Sequence, residues 1–145
     1  GLASLMTVSD SSVDFVFSHA VLEHISKHEF DTTFSEIRRI IKDHGGTSHN
    51  VDLKDHLSGG LNNKRFSSNL WESSFFTNSG FYTNRLSCVE MLAVFRENRF
   101  ECEEFDSKSW DSLPLPKHKM ATEFQSYSEE ELSVKEFNVL LKPVK

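Results

Sequence analysis

The sequence has 145 residues and a net charge of −6, which fits a single domain able to bury its own core. An acidic chain without a basic stripe is a poor match to a phosphate backbone, so no nucleic-acid partner is expected. No run approaches the ~20 apolar residues of a membrane span and no charged-then-apolar signal peptide opens the chain, so no membrane partner is expected either. The two isolated cysteines, Cys88 and Cys102, are too few for a disulfide scaffold and read as buried thiols of a cytoplasmic protein.

Residues 1–12 are small and polar and read as a leader or loop. Val13 to Phe17 is apolar apart from Asp14, which predicts a strand covered on both faces. Ser26 and Glu29 have the spacing of a capping box. Phe30, Phe34, Ile37 and Ile41 then recur on one helical face. Lys42 and His44 suit the C-terminus of that helix, and Gly45 suits a left-handed closing residue. A second strand follows over 47–53. Strand, crossover helix and strand make a βαβ unit, so the two strands should be parallel, with any ligand beyond their carboxyl ends.

Residues 54–86 are polar and aromatic with weak periodicity, an irregular excursion with one helical turn near Ser68 to Phe75. Ser87 and Glu90 form a second capping box. It opens a helix with Met91, Leu92 and Phe95 inward, ending near Asn98, which could supply the left-handed turn. Phe100 to Phe105 reads as a strand and 112–127 as a proline-broken loop. Ser128 to Leu132 fits one acidic helical turn. Phe137, Val139 and Leu141 alternate, as in a final strand antiparallel to 100–105.

These segments carry a resemblance. Asp10 to Ser18, Val21-Leu22-Glu23-His24, Ile37 to Lys42, Gly45-Gly46, Val51 to His56, Tyr82 to Leu86 and Asn138 to Pro143 stand in an order that resembles a class I S-adenosylmethionine (SAM) dependent methyltransferase of type 11. The resemblance implies an α/β Rossmann-like fold of which only the C-terminal half is present, strands 4, 5, 7 and 6 of a family sheet ordered 3-2-1-4-5-7-6. The expected organisation is one partial domain. It comprises a leader (1–12), a βαβ core (13–53), a substrate-side excursion (54–86), and a helix with a terminal β-hairpin (87–145). The family's glycine-rich loop and its acidic ribose and adenine partners are not in this sequence, so SAM is expected as cofactor only in a full-length context, and none bound by this chain alone.

The resemblance also assigns positions. Ser18, His19 and Ala20 would line the methionine end of SAM; otherwise they form a plain turn. Asp55 and His56 would join His19 on the reacting side, a carboxylate beside a histidine being able to orient a base. Otherwise they cap a loop, with Asp52. Trp71, Tyr82, Asn84 and Arg85 would bind a small-molecule acceptor; otherwise their loop tucks its aromatics beneath itself. His24 and His28 lie four apart on one helical face but need a third ligand, so no metal is assigned. No nucleophile elbow accompanies a Ser-His-Asp set.

Three readings follow. The chain is a methyltransferase fragment of unknown substrate, incompetent alone; or a non-enzymatic binding or scaffold domain; or, least favoured, it carries a metal or hydrolytic site on His24, His28, Asp55 and His56. The absent first strand of the family would leave Val13 to Phe17 as an edge, so a homodimer through that strand and the neighbouring helix face is expected.

Overall fold

The computed structural model describes residues 5–145; of the expected leader, residues 1–4 lie outside the described residues. Four strands form one sheet: β1 (Val13–His19), β2 (Ile41–Asp52), β3 (Phe100–Ser109) and β4 (Val134–Pro143), in the order β1-β2-β4-β3. β1 and β2 are parallel, while β4 runs antiparallel to both β2 and β3. This is the order and direction expected for strands 4, 5, 7 and 6.

The crossover helix α1 (Lys27–Ile40) buries Phe30, Phe34, Ile37 and Ile40. Helix α4 (Cys88–Glu97) packs beside it with Met91 and Phe95 buried. Both cover one face of the sheet, where Val51, Phe137, Val139 and Leu141 complete the core. Its rings interlock: Phe34 lies 4.4 Å from Phe95 and edge-on to Phe100.

The opposite face is uncovered, which corrects the expectation that β1 is covered on both sides. Val16 and Ser18 point towards the helices, whereas Phe15 and Phe17 are 51% and 78% exposed. Alternation along a strand forces this split once helices cover only one face.

The junction after α1 differs from the expected glycine turn. The helix ends at Ile40 and the strand begins at Ile41. Lys42 to Gly45 are absorbed in a wide bulge, because Val13 pairs with Ile41 but Phe15 pairs with Gly46. Gly45 is required by proximity rather than by a left-handed conformation. A Cβ there would stand 2.7 Å from the Asp14 carbonyl oxygen.

The two capping boxes part company. Ser87 and Glu90 form the reciprocal box in full, with side chain and backbone satisfied in both directions. Ser26 instead donates its hydroxyl to the Glu29 carboxylate at 2.5 Å, so no backbone amide is capped. At the end of α4 the left-handed residue is Arg99, at φ +60°, and not Asn98. Both hairpin strands run longer than their alternating cores, and β3 is exposed beyond Phe100.

Candidate functional site

The carboxyl ends of β1 and β2 open towards a cap built from two insertions. The first follows β2 and contains a 3₁₀ turn (Asn62–Arg65), α2 (Ser68–Trp71) and α3 (Ser74–Thr77). The second follows β3 and contains two 3₁₀ turns and α5 (Glu129–Ser133). They share an apolar cluster of Leu61, Leu115, Met120, Phe124 and Leu132. The Ala121 amide donates to the Lys64 carbonyl, and the Ser68 amide donates to the Glu123 carboxylate.

Two buried cations organise this cap. Arg85, at φ +60°, donates to the carbonyls of Asn63 and Phe66 and to the Ser68 hydroxyl. Its guanidinium lies between Trp71 and Phe124, 5.3 and 4.9 Å from the ring centres. The Lys64 amine donates to the Arg85 carbonyl and stands 4.4 Å from the centre of the Phe124 ring. Burial, aided by the Arg85 charge, lowers the Lys64 pKa to about 8.

The cap is stitched to the strand ends through the motifs that carry the resemblance. The Asn84 amide side chain donates to the carbonyls of Leu22 and Ile25, and its backbone N–H donates to the Glu23 carbonyl at 2.7 Å. His24 Nδ1 pairs with the Tyr82 carbonyl. Leu22-Glu23-His24 and Tyr82 to Leu86 are therefore one hydrogen-bonded unit, although some sixty residues separate them.

The sequence-assigned residues fall into three groups. Ser18 Oγ bonds His49 Nδ1 at 2.7 Å, Ala20 takes φ +50° while its amide donates to Asn50, and His19 is exposed on the uncovered face. Asp55 is buried, and its carboxylate accepts from the amides of Leu57, Ser58 and Asn62, which closes the loop 55–62. His56 is exposed and lies against His24, ring centres 4.9 Å apart. Trp71, Tyr82, Asn84 and Arg85 are all buried in the cap. Trp71 Nε1 donates to the Thr83 carbonyl, and the Tyr82 hydroxyl donates to Glu72. Burial and the Glu72 carboxylate push the Tyr82 phenol up, so it stays protonated. Among the described residues, no group of three or more His, Cys, Asp or Glu side chains is gathered as for a metal ion. No helix there is long and apolar enough to cross a membrane.

Sequence reasoning missed Lys64 and Asn63, which sit in the polar stretch Asn62-Asn63-Lys64-Arg65 and carry no apolar signal of burial. It also missed the burial of Glu23, both of whose carboxylate oxygens lack a partner. Burial pushes that carboxyl above its ordinary pKa.

Residues 1–47 match the family described as a methyltransferase domain. No curated protein matches the sequence. A SAM-dependent methyltransferase from Methanosarcina mazei superposes with a TM-score of 0.61 at 14% identity, over 95% of this chain and 62% of its own. A Haloferax volcanii protein solved with the Trm112 methyltransferase activator gives 0.54 at 17%, over 96% and 57%. Geranyl diphosphate C-methyltransferase from Streptomyces coelicolor gives 0.55 at 14%, over 95% and 49%. At these identities the likeness is one of fold, and the chain spans about half to three-fifths of the length of these structures. The class I methyltransferase resemblance and the C-terminal-half α/β fold expected from the sequence are thereby supported.

Proposed function

We propose that the chain is the acceptor-side part of a cytoplasmic SAM-dependent methyltransferase acting on a small molecule. The observation that supports this is the β1-β2-β4-β3 sheet, with its cap seated at the carboxyl ends of the parallel pair. His19 and His56 are the exposed side chains that would face the reacting groups. Asp55 would position His56 by closing its loop. Trp71, Tyr82, Asn84 and Arg85 would act as the frame of the acceptor cap, since their polar atoms already bond protein groups.

For SAM, the residues present would supply one wall. The Ser18 hydroxyl is engaged by His49, which leaves His19 and the backbone around Ala20 to meet a ligand. No glycine-rich loop is present to receive the remainder. The 145-residue chain should therefore bind SAM and S-adenosylhomocysteine weakly or not at all in calorimetric titration. Low-micromolar binding at one molecule per chain would overturn this.

A second reading, a non-enzymatic scaffold that dimerises through the half-sheet, is favoured by the exposed Phe15 and Phe17 on edge strand β1. A gene reaching upstream of residue 1 into a glycine-rich loop would favour the enzyme. A native start codon there would favour the scaffold.

A further inference from the structure

Where the cap meets the sheet there is a small cavity of about 20 Å³, lined by Glu23, Asn63, Lys64 and Arg85 with Leu61 and Leu132 among its apolar walls. Three of these residues bring buried polar atoms with no protein partner: both Glu23 carboxylate oxygens, Asn63 Oδ1 and Arg85 Nε. The residues are 2%, 2% and 7% exposed, so bulk water does not satisfy them. Native proteins leave few such groups, and three residues lining one cavity point to a missing partner common to all.

Size and charge decide what that partner is. A cavity of this volume exceeds the roughly 10–15 Å³ that one water needs. An anion would face the Glu23, Asp52 and Glu131 carboxyls, and a cation would face Lys64 and Arg85. The orphaned groups are one N–H donor and three oxygen acceptors. A neutral species with two lone pairs and two protons serves both kinds. The Lys64 amine also lines the cavity; it spends one of its three N–H donors on the Arg85 carbonyl at 3.3 Å, so its remaining donors can face the same neutral species.

We propose that this cavity is an internal water site, in which one water accepts from Arg85 Nε–H and donates to Asn63 Oδ1 and the Glu23 carboxyl. The water joins three segments far apart in the chain: the turn after β1, the 3₁₀ turn of the first insertion, and the strap Thr83 to Leu86. It thus belongs to the seat that fixes the cap over the strand ends. The site stands on this chain's own residues and holds whether or not the chain transfers methyl groups.

A high-resolution crystal structure of the 145-residue chain tests it directly. The expected result is one ordered water within hydrogen-bond distance of Arg85 Nε and Asn63 Oδ1. A dry or collapsed cavity would overturn the proposal. So would a halide there, revealed by an anomalous peak after a bromide soak. In solution, the Arg85 Nε–H resonance should show a magnetisation-transfer peak to a long-lived water. That peak should vanish in Asn63→Leu while the Arg85 contact to the Phe66 carbonyl persists. Absence of the peak in the unaltered chain would also overturn it.

Discussion

Ser18 Oγ and His49 Nδ1 meet at 2.7 Å across the register pair that joins β1 to β2. One partner stands at the strand end where a ligand is expected, and the other stands among the rings of Phe34 and Phe95. Burial lowers the His49 pKa from its ordinary 6.5 to about 4. The folded protein therefore keeps the imidazole neutral where the unfolded chain takes up a proton. Between pH 6.5 and 4 the unfolded state binds more protons, so stability falls on acidification, by about 3 kcal/mol if the shift is fully expressed. The raised Glu23 carboxyl acts with the opposite sign, losing stability as pH rises past its ordinary value. Denaturant titrations of the unaltered chain and of Glu23→Gln at pH 4.5 and 7 separate the two. A His49 ring resonance that titrates near pH 6.5 would defeat the account.

Asp55 and His56 are neighbours in sequence with different duties. The Asp55 carboxylate is the acceptor for three backbone amides. Asp55→Ala leaves those donors unpaired and should cost about 1–3 kcal/mol. His56 is exposed, and His56→Ala should change stability by no more than about 0.5 kcal/mol. In a catalytic full-length context, His56→Ala should lower turnover while thermal melting is unchanged. Parallel loss of melting temperature and turnover would reduce His56 to part of the loop closure.

Arg85 and Lys64 predict opposite outcomes from similar surroundings. The planar Arg85 fork reaches two carbonyls and a hydroxyl while its Cζ lies within 5.3 Å of two ring centres, a set of contacts that lysine cannot reproduce. Arg85→Lys should destabilise by about 1–3 kcal/mol. Lys64 is a buried charge with a single weak hydrogen bond of 3.3 Å. Lys64→Met should be neutral or stabilising by up to about 2 kcal/mol at pH 7, since it removes a desolvated ammonium and keeps the stem. Because its folded pKa lies near 8, below the ordinary 10.5, the unaltered chain should gain stability as pH rises between those values. A Lys64→Met variant that melts well below the unaltered chain would contradict this.

The βαβ unit and the second capping box were legible because each rests on local chemistry: apolar spacing in α1, and the Ser87–Glu90 pair. Other features depended on distant partners. Ile41 belongs to the helical stripe by spacing, yet it opens β2 because Val13 is there to pair with it. Ser26 has the right spacing for a box, but its hydroxyl turns to the Glu29 carboxylate instead. Trp71, Tyr82, Asn84 and Arg85 were visible as a dense aromatic and cationic stretch. That they form a frame is decided by distant partners: Asn84 bonds the carbonyls of Leu22 and Ile25, and Arg85 lies against Phe124, contacts that no local pattern connects. Lys64 reads as solvated in a polar run, yet its amine lies between the Arg85 carbonyl and the Phe124 and Tyr127 rings of the second insertion.

The uncovered edge leads to the last prediction. Among the described residues β1 pairs only with β2, so no described strand lies beside its outer backbone groups. Among the described leader residues, Leu5 and Val8 are held by Arg39 at the C-terminal end of α1 and do not pair with β1. Lys42 and His44 bind Asp14 beside the bulge, which distorts only the start of the strand. Phe15 to His19 is then a short, regular template with Phe15 and Phe17 exposed on one face. Such edges pair readily with another chain, and a two-fold arrangement lets one patch satisfy itself. The 145-residue chain should therefore be a homodimer at micromolar concentration, its β1 strands antiparallel across the axis. Phe17→Lys should shift it to monomer in light scattering while α-helical circular dichroism is retained, because Phe17 contributes nothing to the buried core. A monomeric unaltered chain, or a crystal in which residues 15–19 face solvent, would rule out this assembly.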